Sequence, residues 1–167
     1  VKPVSRGVIA LPATADTQLK IVNPDASEAA IDLTLYGAEG EIQSLGARGI
    51  TLAAYEERAI ALSVLTKKAT PVGVSFQASR GRAAVMAITQ TQSSGTAAGP
   101  SQLGTSHLLP GIPAGATSSV IVLANPSETR ITANLTAYGT TPAYHPQGGE
   151  NISVPPHASV SVSLENA

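Results

Sequence analysis

The sequence contains no cysteine and no tryptophan, and only five of its 167 side chains are aromatic. Without cysteine the chain forms no disulfide, has no thiolate nucleophile and offers no thiolate ligand to a metal. Charged residues make up only 13% of the chain, and the formal net charge is −1. Such a balance supplies no positive field for nucleic acid or an anionic membrane surface. No apolar run approaches the roughly 18 residues that a membrane-spanning helix needs.

Hydrophobic residues are nevertheless 43% of the chain, which is enough for a packed core. The length fits one domain, and two small β-domains would also fit. The chain begins at Val1 without a basic and apolar leader, so we interpret it as a mature form or a fragment of a longer protein. Many small hydroxyl residues and few charges favour an extracytoplasmic location.

An internal repeat at an offset of 102 residues is the main organisational signal. The segment NPDASEAAIDLTLYG begins at Asn23, and NPSETRITANLTAYG begins at Asn125. Nine of the forty positions from 23 to 62 are identical to the residue 102 positions later, without a gap. Because this register continues across several elements, we interpret the chain as a duplication.

Alternation of apolar and polar residues predicts antiparallel β-strands in both copies. Residues 31–36 and 131–138 alternate with period two, and so do residues 158–164. Residues 52–65 are rich in alanine, yet their counterpart contains Pro155 and Pro156, which excludes a helix there. We therefore predict strands near 49–53 and 58–65, the second with Ile60, Leu62 and Val64 facing inward.

The predicted fold class is all-β, with tandem, duplicated Ig-like antiparallel β-sandwich units. The first unit spans residues 1–98 and includes a hairpin at 71–91, whose tip contains Gly81. Residues 91–105 carry no charge and are interpreted as a linker or a long connection between the two units. The second unit spans residues 99–167 and is an incomplete copy, because it lacks a counterpart of the hairpin. We expect the hairpin to pack against both units.

No catalytic signature is present, so we predict no catalytic residue, no cofactor and no enzyme activity. All three aspartates lie in the first unit and all three histidines in the second, so a catalytic triad would have to form between units. His145, Glu150 and His157 are the best candidates for metal ligands, but structural zinc normally needs four converging ligands. We therefore predict no metal site and two exposed loop histidines.

Three further patterns each admit a structural and a functional interpretation. Tyr36 and Tyr138 recur at strand ends. They either stack on sugar rings or form a hydrogen bond from the hydroxyl to the backbone, as in a tyrosine corner, and the repetition favours this second, structural role. The cations near the hairpin tip either bind an anionic polymer or prevent a sheet edge from pairing with other chains, and we favour the second interpretation. Two triplets fit the N-glycosylation pattern, but we assign no glycan. The cations are Lys67, Lys68, Arg80 and Arg82, and the triplets begin at Asn134 and Asn151.

The segments IVNPDASEAAIDLTLYGAEG and VLANPSETRITANLTAYG, each followed by an apolar strand, a turn and an alternating strand, resemble a large family of secreted or envelope-anchored actinobacterial proteins known only as a domain of unknown function. The resemblance implies an extracytoplasmic location and β-sandwich repeats, and it implies no catalytic residue. We expect a non-enzymatic structural or interaction protein of the cell envelope or secreted space, whose partner is a protein or an envelope polymer. The alternative is a carbohydrate-binding β-sandwich module.

Overall fold

The computed structural model describes residues 4–11, 17–67, 72–90, 95–98, 104, 106, 119–138 and 146–164. Across these residues the chain forms thirteen strands, one short α-helix and one 3₁₀ turn, and all strand pairs are antiparallel. The predicted all-β fold class is confirmed. No helix in the described part of the chain is long and apolar enough to cross a membrane.

The first sheet has five strands, which are β1 (Arg6–Leu11), β3 (Ala29–Gly37), β4 (Gly40–Ile42), β5 (Ile50–Leu52) and β7 (Val72–Arg80). Their order is β1-β7-β3-β4. β5 also pairs with β3, at the start of β3, whereas β4 pairs with its end. β7 pairs on both sides over most of its length, so it is the central strand.

The second sheet has four strands, which are β2 (Thr17–Val22), β6 (Glu57–Ala61), β8 (Ala84–Gln90) and β9 (Gly95–Ala98). Their order is β6-β2-β8-β9, with β2 paired on both edges. Apolar residues at alternate positions of both sheets contribute to one buried core. Leu33 and Phe76 from the first sheet share this core with Leu19 and Val85 from the second. The two sheets therefore form a β-sandwich.

The later part of the chain forms two ribbons of two strands each. β10 (Ser119–Asn125) pairs with β13 (Ala158–Leu164), and β11 (Ile131–Ala133) pairs with β12 (Ile152–Val154). The β10–β13 ribbon packs on the first sheet, contacting β1, β3, β4 and β7. Gly73 alternates with Val72 and Val74, which face the core, so the ribbon covers the outer face of that sheet.

The expected hairpin at 71–91 is wrong. β7 pairs with β1 and β3, whereas β8 pairs with β2 and β9, so the two strands belong to different sheets. The reason is that both edges of β7 are already occupied. Gly81, with a φ of +73°, lets the chain cross from one sheet to the other, and a Cβ there would lie 3.2 Å from the Cβ of Ala29. Of the two strands of the expected hairpin, β7 packs against the β10–β13 ribbon, and no such packing is seen for β8 among the described residues.

Two further local predictions need correction. The strand expected at 58–65 ends at Ala61, and α1 (Leu62–Leu65) follows. A helical turn buries both Leu62 and Leu65, three residues apart, whereas a strand would bury Leu62 and Val64 and expose Leu65. Val64 is accordingly 75% exposed rather than inward-facing. The expected linker at 91–105 contains β9, and the unit boundary near residue 98 stays a prediction.

Candidate functional site

Asn23 joins two loops at one end of the sandwich. Its side chain is fully buried. Its Nδ2 donates to the carbonyl oxygens of Ser27 at 2.7 Å and Ala53 at 2.8 Å, and its Oδ1 accepts from the backbone N–H of Asp25 at 3.0 Å. One amide side chain thus satisfies backbone groups of two separate loops. The loop end is held as a single, ordered surface.

Asn125 makes the same contacts in the later part of the chain. Its Nδ2 donates to the carbonyl oxygens of Thr129 at 2.8 Å and Pro155 at 3.0 Å, and its Oδ1 accepts from the N–H of Ser127 at 3.1 Å. Every one of these partners lies 102 residues after its counterpart around Asn23. The sequence repeat is therefore accompanied by a repeat of hydrogen bonds.

A second pair of contacts follows the same offset. The Oδ1 of Asp32 accepts from the N–H of Gly49 at 2.8 Å, and the Oδ1 of Asn134 accepts from the N–H of Asn151 at 2.7 Å. The alternation of residues 131–138 predicts a strand that includes Asn134, but β11 ends at Ala133 and Asn134 lies just after it. Both asparagines of the glycosylation triplets therefore take part in one turn contact.

A third repeated feature is a residue in the left-handed region of backbone space. Tyr55 has a φ of +60° and His157 a φ of +49°, and their N–H groups donate to the carbonyl oxygens of Asp25 at 3.2 Å and Ser127 at 3.3 Å. Bulky residues rarely adopt this conformation without compensation. The side chain of His157 is packed, but that of Tyr55 is 71% exposed.

Two ion pairs involve neighbours of Tyr55, namely Asp25, whose carbonyl oxygen accepts the Tyr55 N–H, and Glu56, the next residue along the chain. We call Tyr55, Asp25, Arg82, Glu56 and Arg58 together the Tyr55 surface. Arg82 reaches Asp25 with two nitrogens, the shorter contact at 2.6 Å, and Arg58 contacts Glu56 at 2.8 Å. Tyr55 supplies an exposed ring that can stack on a polyhydroxylated ring, and the charged groups of its neighbours can form hydrogen bonds to hydroxyls.

The carboxylates of the Tyr55 surface are held in their charged form. The hydrogen bond from Arg82 lowers the pKa of Asp25, and the same pairing raises the pKa of Arg82. The backbone N–H of Ala53, followed by Arg58, lowers the pKa of Glu56. Both acids are therefore hydrogen-bond acceptors at neutral pH rather than proton donors.

The cations predicted near the strand connection are mostly paired. Arg82 is held by its carboxylate partner, and Arg80 contacts Glu28. Lys67 is exposed, and Lys68 lies outside the described residues. Because both arginines are neutralised by partners from the loop after β2, they fix the sheet-crossing connection against that loop. This arrangement favours the structural interpretation of the cations over an anion-binding one.

A buried serine links the β10–β13 ribbon to the first sheet. The Oγ of Ser159 donates to the carbonyl oxygen of Tyr36 at 2.8 Å and accepts from the N–H of Gly73 at 3.2 Å. The ribbon approaches so closely that a Cβ on Gly73 would lie 2.8 Å from the Cβ of Ala124. We call the contact among Tyr36, Gly73, Ala124 and Ser159 the junction.

His157 extends the junction and is not the exposed loop histidine that we expected. Its ring lies 5.9 Å from the ring of Tyr36, and its Nε2 is 3.0 Å from Glu128 Oε2. Its Nδ1 is buried and has no hydrogen-bond partner among the residues that the structure describes. His145 lies outside the described residues, and Glu150 is exposed. Among the described residues no group of three acidic or histidine side chains is placed to hold a metal ion.

The two strand-end tyrosines differ in their environments. Tyr36 is 5% exposed, and its hydroxyl bonds to the Oγ of Ser75 at 2.9 Å. The partner is a side chain, not the backbone group of a tyrosine corner. Tyr138 is 75% exposed. The structural role that we predicted for both tyrosines therefore applies, in modified form, to Tyr36 alone.

A family comparison accounts for both parts of the chain. The sequence profile described as a family of unknown function, DUF5719, matches residues 8–122 and again residues 114–167. The chain belongs to this family. No curated protein and no solved structure matches the chain. The two matches overlap on the start of β10, the strand that carries the ribbon onto the first sheet.

In this DUF5719 chain the aspartates that a triad would use have other partners. Asp25 pairs with Arg82, and Asp32 accepts a backbone N–H. Asp16 and His107 lie outside the described residues.

We did not predict the junction from the sequence, although differences between the two copies of the repeat contain a signal for it. At the offset of 102, Ser159 replaces Glu57 and Ala124 replaces Val22. Ser159 is buried, whereas Glu57 is exposed, so the small residue marks a face that the second half of this DUF5719 chain buries against the first sheet.

Proposed function

We propose that the chain is a non-enzymatic structural or interaction module of the cell envelope or secreted space. The observation that supports this is how the polar side chains are used. Asn23, Asn125, Asp32 and Asn134 each bond backbone groups of a turn, and Ser159 bonds backbone groups across the junction. These groups stabilise loops and interdomain contacts, which is the chemistry of a scaffold rather than of a catalytic centre.

The proposal includes tandem Ig-like units as the architecture. The hydrogen bonds around Asn23 and Asn125 recur at one offset, as do the positive φ values of Tyr55 and His157. A junction with a buried serine and a close approach at Gly73 holds the halves in one orientation. A scaffold of fixed shape presents its loops at a set distance, which suits a spacer or an adaptor.

The proposed location rests on composition and resemblance. The chain has no cysteine, few charges and many small hydroxyl residues, and its Asn-Pro segments resemble those of secreted or envelope-anchored actinobacterial proteins. We accordingly propose an envelope polymer or an envelope protein as the partner.

Co-sedimentation with an actinobacterial cell-envelope fraction tests this function. Purified chain at increasing concentration is mixed with the washed insoluble fraction, and bound protein is measured after centrifugation, with the heat-unfolded chain as the control. We expect saturable binding by the folded chain and no soluble fragment released from the polymer. Failure to bind, or release of fragments in proportion to time and protein concentration, would contradict the proposal.

A carbohydrate-binding module is the second candidate, and the Tyr55 surface favours it. Tyr55 is exposed despite its unfavourable φ, and its neighbours Asp25 and Glu56 each form an ion pair with an arginine. A glycan array separates the two candidates with a matched pair of variants. Tyr55→Ala should abolish any glycan signal, whereas Tyr138→Ala, at an equally exposed tyrosine, should leave it unchanged. An array without signal, or equal losses for both variants, would contradict this candidate.

A further inference from the structure

His157 places an imidazole ring between the two halves of the chain. On one side the centre of the ring lies 5.9 Å from that of Tyr36, near the end of β3. On the other side its Nε2 is 3.0 Å from the Oε2 of Glu128, in the loop after β10. The equivalent residue of the first half is Tyr55, whose ring is exposed. An imidazole thus occupies this repeated position only in the copy whose ring packs against the other half.

The contacts of this ring determine which nitrogen acid protonates. A carboxylate only accepts hydrogen bonds, so Nε2 carries the proton of the neutral ring and donates it to Glu128. Nδ1 is then the unprotonated nitrogen, and it is buried without a hydrogen-bond partner among the described residues. Histidine is the side chain that changes its charge close to neutral pH. Acid therefore adds its proton to a buried nitrogen for which the described part of the chain provides no acceptor.

Protonation makes the packed position of the ring unfavourable. A charged N–H that is buried without an acceptor costs more free energy than a neutral nitrogen in the same place. The carboxylate of Glu128 compensates for little of this cost, because it is 90% exposed and solvent screens the ion pair. Among the described residues no other carboxylate lies within ion-pair distance of the ring. The remaining charged or titratable groups on the adjoining segments are Arg130, which contacts Ser153, Glu41, which is 3.7 Å from Arg48, the exposed Glu39, and the hydroxyl of Tyr36, which bonds to Ser75.

We propose that protonation of His157 expels its ring from the junction and thereby loosens the attachment of the second half to the first half. Ser159 follows two residues along the chain and makes the two hydrogen bonds of the junction, so a displacement of the ring is transmitted to them. Because the detached state binds the extra proton more readily, the attachment strengthens as pH rises and weakens as pH falls. The consequence rests on the proposed scaffold function, since a module of fixed shape near neutral pH becomes hinged in acid.

Amide hydrogen exchange of the full chain, followed by NMR, tests the proposal. The reporter is the N–H of Gly73, which donates to the Oγ of Ser159 across the junction. The internal control is the N–H of Asn23, which donates to the carbonyl oxygen of Glu56 within the first half at 2.9 Å. After correction for the intrinsic effect of pH, we expect Gly73 to exchange at least about tenfold faster at about pH 5.5 than at about pH 7.5, and Asn23 to exchange equally at both.

Variants of the three histidines assign the response to one ring. His157→Asn and His157→Tyr both remove the imidazole, and both residues suit the positive φ, because asparagine adopts it readily and Tyr55 has it in the first half. In both variants the exchange of Gly73 should be the same at the two pH values. The matched control is the double variant His107→Asn with His145→Asn, which keeps His157 and should keep the full response.

Three results would overturn the proposal. Equal exchange of Gly73 at both pH values in the unmodified chain would show that protonation leaves the junction closed. Slower exchange in acid would show that Glu128 and the ring of Tyr36 outweigh the burial of Nδ1. A response that persists in both His157 variants, or disappears in the double variant, would assign it to other groups. If the unmodified chain still binds the envelope fraction near neutral pH in any of these cases, only the pH dependence fails and the proposed function stands.

Discussion

Substitution of Asn23 by alanine should cause one of the larger losses of stability that a single polar residue in this fold can cause. The side chain makes three bonds of 2.7–3.0 Å with backbone groups, and it is fully buried. A net contribution of about 1 kcal/mol per bond predicts a loss of roughly 3 kcal/mol. Small domains have a total free energy of unfolding of about 5–15 kcal/mol, so the loss is large. Asn23→Asp should be at least as harmful, because it replaces both N–H donors with an oxygen facing two carbonyls.

Urea unfolding followed by far-ultraviolet circular dichroism measures this loss, and a thermal scan should show a melting temperature lower by about 6–12 °C. Asn134→Ala is the matched control. Asn134 is exposed and makes one such bond, at 2.7 Å to the N–H of Asn151, so its loss should stay below about 1 kcal/mol. If Asn23→Ala cost no more than the control, the idea that this amide holds the two loops together would be refuted.

Three further predictions concern the junction and the Tyr55 surface. Gly73→Ala should destabilise the chain by about 1–3 kcal/mol in urea, since its Cβ would approach that of Ala124 to 2.8 Å, and adding Ala124→Gly should restore part of the loss. Arg82 lowers the pKa of Asp25 below its ordinary 3.8, so the ion pair stabilises the fold above that pH. The stabilisation is lost as acid protonates the carboxylate of the folded chain. Asp25→Asn should therefore make the urea midpoint decline less steeply between about pH 5 and pH 2. Tyr55→Gly should raise the melting temperature, because glycine adopts a φ of +60° without strain and the exposed ring contributes little packing.

Strand positions could be predicted from the sequence because they depend on local alternation. Residues 31–35 alternate between buried and half-buried side chains as the sequence alternates between apolar and polar residues, and β13 spans the strand predicted at 158–164. The repeated Asn-Pro turns were also visible as identical letters at one offset. These features require only that apolar side chains face a core and that a turn has the residues it needs.

The pairing of those strands could not be predicted from the same signals. A turn with glycine between two alternating strands is compatible with a hairpin and with a crossing between sheets, and the choice depends on which edges are already occupied. β7 is paired on both edges by strands distant in sequence, so β8 had to join the other sheet. The helical turn at Leu62–Leu65 could not be predicted from alternation either. It places two leucines in the core that a strand would have placed on opposite faces.

Differences between equivalent positions explain why the second half docks on the first half through this face, and not the reverse. Where the first half has Lys20 and Glu57, joined by an ion pair of 2.7 Å, the second half has Val122 and Ser159. Serine both donates to a carbonyl and accepts from an N–H in the junction, whereas a carboxylate at that position would face the carbonyl of Tyr36 and lose its lysine partner. The first half therefore receives the β10–β13 ribbon on the outer face of its first sheet. Its own β2–β6 pair, which carries Lys20 and Glu57, is unsuited to dock in the same way. The same backbone framework thus carries two different surfaces. In the first half an ion pair lies at the surface in contact with solvent, and in the second half a small residue allows the surface to be buried.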